Sequence, residues 1–212
     1  MSRHSKSRAA IALVAAALLS AALATRVLAV SVTKPTGIEM PEKLPTLEGP
    51  VAVTSIGQAP GASWVKLLLI QLKIPVEHDD ELTAAKLASL MKDPKRAPKV
   101  LIMAMGTSGK GMGGAGVDIN SEVARCNALV AEAKKHGIFI IGGQIEGMAR
   151  RTDEGDERSN KAVAPQSNML MVMKDVDYDN YFTNVAKQKG IPIVRIVNSM
   201  DFKYPLAVMF DK

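Results

Sequence analysis

Between residues 50 and 200 two kinds of segment take turns along the chain. Short, mostly apolar runs lie at Val51–Thr54, Lys99–Met105, Ile138–Ile141, Met169–Met173 and Ile191–Val197. Between them lie longer stretches whose apolar residues recur every three or four positions. Ser63 is placed to cap one running through Leu72, and others cover Leu82–Met91, Asp118–His136, Glu157–Ala164 and Asp179–Lys189. Continuous apolar strands alternating with amphipathic helices form a parallel sheet covered on both faces. Ile74–Val76 reads as a weaker second strand, and Pro75 places it at an edge. The pattern predicts one α/β domain over residues 50–212. Its sheet is doubly wound, mostly parallel and six-stranded, with helices on both faces, Rossmann-like or flavodoxin-like, in an order such as 2-1-3-4-5-6. The tail 200–212 carries a strand-like piece, Leu206–Phe210, suited to a further edge strand.

The 212-residue length suits one domain with an appendage. Residues 1–29 have the layout of a secretory signal peptide. Arg3, Lys6 and Arg8 precede an apolar run from Ala9 to Ala24, and cleavage is expected after Ala24 or Ala29. An uncleaved N-terminal anchor is the alternative, so the chain is expected to be exported, periplasmic or secreted, with possible membrane association through that segment. Four basic residues there account for most of the net charge of +6 and leave +2 for the remainder, so the charge gives no reason to expect nucleic acid as a partner. The single cysteine, Cys126, excludes an internal disulfide and a Cys-rich zinc site. Residues 30–49, with Pro35, Pro41 and Pro45, read as an extended arm that tethers the domain or covers a sheet edge.

In doubly wound sheets ligands sit at the carboxyl ends of the strands, where the winding reverses. Here that point lies between the loops after the first and third strands. The first loop contains Gln58 and leads to Ser63. The other runs Gly106-Thr107-Ser108-Gly109-Lys110-Gly111-Met112-Gly113-Gly114-Ala115-Gly116. Free amides in such a glycine-rich stretch attract an anion, with Thr107, Ser108 and Lys110 adding donors and charge. A phosphate-binding Walker loop fails here, since Ala104 stands at its first glycine and Gly111 where Ser or Thr should be. Gly109-x-Gly111-x-x-Gly114 fits a dinucleotide pattern but follows the third strand instead of the first, so no cofactor is expected. After the fourth strand, Gln144 and Glu146 are candidates to face the crevice, and Arg150-Arg151 to grip a carboxylate or phosphate. The acids that follow, Asp153, Glu154, Asp156 and Glu157, offer a competing reading in which they neutralise the two arginines. Glu122 and Arg125, three apart on a helix, form either a surface ion pair or a support behind the glycine-rich loop. Asp175-x-Asp177-x-Asp179 lacks the glycine and the final glutamate of a calcium loop, so these acids read as helix caps. Cys126 lies on an apolar stripe and reads as inert. No zinc spacing and no Ser-His-Asp arrangement is visible, and no metal is expected.

The string Gly109 to Asp118 with Glu122 and Arg125, then Glu146-Gly147-x-x-Arg150-Arg151, Asp179-x-x-Phe182-Thr183 and Ile191-Pro192, resembles an uncharacterised bacterial family of exported α/β domains. The resemblance covers about residues 50–200. It implies the fold and the loop cluster, and it supplies no activity. A histidine precedes the Gly-Gly turn in that family, and Gln144 here implies a weaker acid–base role.

Three functions fit the sequence. The first is an exported domain holding a small anionic ligand through Gln58, Ser63, Gly106–Gly111, Gly113, Gly114, Gln144, Arg150 and Arg151. The second is a hydrolase or transferase acting on a phosphate or carboxylate ester, with Glu146 or Asp118 as the acid–base group. The third is an accessory subunit of a membrane-associated assembly.

Overall fold

The computed structural model describes residues 32–212; the expected signal peptide lies outside the described residues. The elements run β1 (Val51–Ile56), α1 (Gly61–Gln71), β2 (Val76–His78), α2 (Ala84–Leu90), β3 (Val100–Met105), α3 (Gly109–Ala115), α4 (Ile119–Lys135), β4 (Phe139–Gln144), α5 (Glu154–Val163), β5 (Met169–Met173), α6 (Tyr181–Lys189), β6 (Ile193–Ile196) and α7 (Lys203–Met209). The six strands form one parallel sheet in the order β2-β1-β3-β4-β5-β6. This is the doubly wound α/β fold expected from the alternation of segments.

Strand periodicity divides the core into two layers. Val51, Val53, Val100, Ile102, Met169 and Met171 face α1 and α7. Ala52, Ile56, Leu101, Met103, Leu170 and Val172 face α2, α4, α5 and α6. The second strand begins at Val76, two residues later than expected, because Pro75 contributes only its carbonyl, which accepts from the Val51 amide at 2.9 Å.

Residues 32–49 lie on the α1/α7 side. Leu44 is buried there, with Val32, Ile38, Met40 and Leu47 packed against the same layer. Glu39 pairs with Arg195 through two backbone hydrogen bonds of 2.8 and 2.9 Å, so the arm covers part of the free edge of β6.

Two expectations are corrected. The strand-like tail piece is helical: α7 buries Pro205, Leu206, Ala207 and Met209 against the sheet. The glycine-rich stretch after β3 is a loop only as far as Ser108. Ser108 caps α3 by accepting the Gly111 amide at 3.0 Å, and Gly116 ends the helix in the left-handed conformation.

Candidate functional site

The loops after β1 and β3 meet at the reversal point, as the topology requires, and they pair with each other. Gln58 and Thr107 form an antiparallel bridge, and the Ser108 amide donates to the Gly57 carbonyl at 2.7 Å. The contact needs glycine on both sides. A Cβ on Gly57, whose φ is +97°, would sit 2.6 Å from Thr107 Cγ2, and one on Gly111 would sit 2.3 Å from the Gln58 carbonyl oxygen.

Many amides of these loops already have acceptors. Gly57 N–H donates to Glu122 Oε2 at 2.8 Å, Gly106 N–H to Ser159 Oγ at 2.9 Å, and Thr107 N–H to Asp156 Oδ1 at 2.8 Å. Thr107 Oγ1 donates to the same Asp156 oxygen at 2.8 Å. Carboxylates from α4 and α5 thus supply negative charge where the sequence reading places a ligand. Asp156 and Ser159 were missed as loop supports. Their one sequence signal was the polar run at the start of a helix, which reads equally well as capping.

Glu122 and Arg125 are neither a surface ion pair nor a support of the glycine-rich loop: Glu122 is buried, Arg125 nearly so, and the pair holds the loop after β1. Glu122 is 1% exposed. Its Oε2 also accepts from Gln58 Nε2 at 3.0 Å and Arg125 Nη2 at 2.8 Å, and its Oε1 from Arg125 Nε at 2.9 Å. Burial pushes the Glu122 pKa up, but the Arg125 and Gly57 hydrogen bonds outweigh it and hold the carboxyl below its ordinary value. Arg125 also donates to the carbonyls of Ser55 at 2.6 Å and Leu82 at 2.9 Å.

In the loop after β4, Gln144 is fully buried. Its Nε2 donates to the carbonyls of Gly147 and Arg150, and its Oε1 accepts the Gly147 amide, each at 3.1 Å. Gln144 therefore closes the turn and does not face a crevice. Glu146 accepts the Gly61 amide at 2.8 Å on Oε1 and Arg150 Nε at 3.0 Å on Oε2. Both its oxygens are engaged, at the start of α1. Arg151 turns the opposite way. Its guanidinium, 2% exposed as a side chain, pairs with Glu157 at 2.7 Å and Asp179 at 2.7 Å, donates to the Val176 carbonyl, and lies over the Tyr178 ring at 4.8 Å. It is an internal bolt and not half of a ligand clamp. Of the four acids that follow, only Glu157 pairs with an arginine, Arg151; Arg150 is paired with Glu146 instead, so the neutralisation reading holds for one arginine and not the other.

The other candidates divide simply. Ser63 lies inside α1, exposed, two residues past the start at Gly61, so it caps nothing. Gly109, Gly113 and Gly114 are on the open side of α3, with nothing within 4 Å of a would-be Cβ. Asp118 caps α4 through the Ser121 amide at 2.8 Å, and that bond lowers its pKa. Burial pushes the Cys126 thiol up to about 12, which makes it inert at neutral pH. His78 contacts Asp80 at 3.2 Å and His136 contacts Glu132 at 2.8 Å. Neither is bonded to a hydroxyl or thiol. Among the described residues no group of three or more His, Cys, Asp or Glu is placed to hold a metal ion.

Of the cations expected at this edge from the sequence, Lys110 and Arg150 remain available among the described residues. Lys110 is exposed on α3 with no partner among the described residues. Arg150 binds Glu146 through Nε and leaves both Nη groups without a protein acceptor among the described residues. Its aliphatic stem packs over Gly106, where an added Cβ would meet Arg150 Cβ at 2.7 Å.

A family model described as a domain of unknown function, DUF6305, matches residues 48–210. The chain belongs to this family. The DUF6305 match spans all six strands and all seven helices named above. No curated protein matches. Among solved structures, this DUF6305 chain is similar to a GDSL-like lipase from Bacteroides thetaiotaomicron at 10% identity and a TM-score of 0.34, over 68% of this chain and 66% of the lipase. It is similar to the psychrotrophic esterase EstA from Pseudoalteromonas sp. at 13% identity and a TM-score of 0.35, over 68% and 76% of the two chains. It is similar to TesA at 14% identity and a TM-score of 0.36, over 68% and 77%. The chain spans just under two thirds of the length of the lipase. Such distant likeness assigns no chemistry to the carboxyl edge.

Proposed function

We propose that this domain is an exported binding module that holds a small carboxylate or phosphate ester at the carboxyl edge of its sheet, with Arg150 and Lys110 as the charged contacts. The observation that carries this reading is the Arg150 guanidinium. Glu146 fixes it through Nε, and its two Nη groups point a planar pair of donors at no protein acceptor among the described residues. That arrangement suits bidentate recognition of a carboxylate or phosphate. The engaged loop amides make the edge rigid and remove them from the contact set, so binding rests on side chains. Export is supported by the N-terminal sequence pattern.

The ester-cleaving alternative has less support. Glu146 and Asp118, its acid–base candidates, are held by structural hydrogen bonds, and neither described histidine is bonded to a nucleophile. The test is a melting-temperature screen against carboxylates and phosphate esters. At least one ligand should raise Tm, and Lys110→Ala, at an exposed and unpaired residue, should weaken its binding by about tenfold, the loss of a partly exposed charged hydrogen bond. No stabilisation across the panel, or binding unchanged in both Lys110→Ala and Arg150→Lys, would overturn the reading.

A further inference from the structure

α1 carries apolar residues on both sides. Ala62, Val65, Leu68 and Leu69 pack against the sheet, while Trp64, Leu67 and Ile70 stand on the opposite side at 42, 48 and 52% exposure. Ser63, Lys66 and Gln71 share that outer side, so the three apolar residues form a stripe within a mixed face, and large apolar side chains exposed together mark a contact surface. The stripe is not alone, because α1 packs beside α7 and the 3-10 turn Ser199–Phe202, which expose Val208 and Met200.

The charges around this patch select what covers it. α1 carries no carboxylate, and neither does α7. Lys66 on α1, Lys73 just beyond it and Lys203 on α7 have no acidic partner among the described residues. The acids on this side lie at its margins: Asp201 and Asp211 at the two ends of α7, and Glu42 and Glu48 on the arm, where Glu48 is paired with Lys99. A second copy set against this face would bring lysine against lysine around an apolar centre. An anionic lipid surface meets both features at once. Its headgroups pair with the lysines, whose stems reach outward past the apolar stripe, and its interfacial zone takes the tryptophan and aliphatic side chains. No helix of the described residues is long and apolar enough to cross a membrane, so contact through this face is peripheral.

We propose that the α1/α7 face docks on an anionic bilayer surface, with Trp64, Leu67 and Ile70 entering the headgroup zone and Lys66, Lys73 and Lys203 contacting the lipid charges.

The chain contains one tryptophan, Trp64, so its fluorescence reports this face alone. The full chain is titrated with vesicles of mixed phosphatidylglycerol and phosphatidylcholine, and with phosphatidylcholine vesicles as the neutral comparison. The expected result is a blue shift and reduced acrylamide quenching on the mixed vesicles only, reversed by about 1 M salt, where the Debye length falls to about 3 Å. Leu67→Glu should abolish the shift. Lys66→Glu should weaken partitioning at least about fivefold, the factor expected for one basic residue near an anionic surface. Both positions are exposed, and circular dichroism and Tm check that each variant folds. Three results would overturn the proposal: an unmoved Trp64 spectrum even where the chain sediments with vesicles, which assigns attachment to the N-terminal segment; an equal shift on neutral vesicles; or a concentration-dependent shift without lipid at twice the monomer mass, which assigns the face to a second copy. None of these readouts depends on the anion screen.

Discussion

At Glu122 one carboxylate accepts hydrogen bonds from a backbone amide, a carboxamide and a guanidinium, and joins α4 to the loop after β1. Removing it leaves Arg125 charged and nearly buried beside empty space. Glu122→Ala is therefore expected to cost about 3–5 kcal/mol in urea unfolding, the range for breaking a buried ion pair. The depressed Glu122 pKa also fixes a sign with pH. Between the folded value and the ordinary 4.5, the unfolded chain binds more protons. The contribution of Glu122 is thus complete above about pH 4.5 and disappears as pH falls through the lower folded value. The urea midpoint of the parent should drop below pH 4.5, and that of Glu122→Gln should drop less steeply. The sequence displays the i, i+3 spacing of Glu122 and Arg125 but not which way their side of α4 faces. Neighbouring residues show the same limit at Arg150 and Arg151. They read as one clamp, yet one lines the sheet edge and the other is enclosed by Glu157, Asp179 and Tyr178.

Among the elements, α3 is the least expected. Four of its seven residues are glycine, and none of the seven is buried. Glycine within a helix costs roughly 0.5–1 kcal/mol relative to alanine. Gly113→Ala and Gly114→Ala meet no atom within 4 Å and should each raise stability by about 0.5–1 kcal/mol in chemical denaturation. Gly111→Ala should act oppositely and lower Tm, because its Cβ would meet the Gln58 carbonyl oxygen at 2.3 Å, a backbone atom that cannot turn aside. A reading by composition treats these glycines alike as loop. Only the Ser108 cap and the contact with Gln58 separate a helix from a loop here, and the contact joins residues about fifty positions apart.

For the molecule as a whole, the two edges of the sheet are treated differently. β6 is partly covered by the arm at Glu39, whereas β2 is a three-residue strand with charged neighbours, Glu77 and Arg96, paired at 2.8 Å. Both are recognised ways to blunt a sheet edge. Deleting residues 32–40 should speed hydrogen exchange at the Arg195 amide, which donates to the Glu39 carbonyl, and should promote aggregation visible in light scattering. Unchanged exchange at Arg195 would show that the arm leaves that edge without protecting it. The alternation of apolar and amphipathic segments was enough to predict a doubly wound parallel sheet, and the observed strand order is the one offered as its example. It left the tail open, because a five-residue apolar run such as Leu206–Phe210 satisfies strand and buried helix equally well.

From its sequence alone this protein was committed to a doubly wound parallel sheet, to a meeting of the β1 and β3 loops, and to an arm outside the repeating pattern. Those properties follow from local periodicity, chain connectivity and the positions of glycine and proline, all of which are read in order along the chain. Tertiary structure decided which groups at the carboxyl edge are already bonded to one another. Glu122, Asp156 and Ser159 reach the loop amides from helices far along the chain, and a hydrogen bond depends on distance in space, which separation in sequence does not encode.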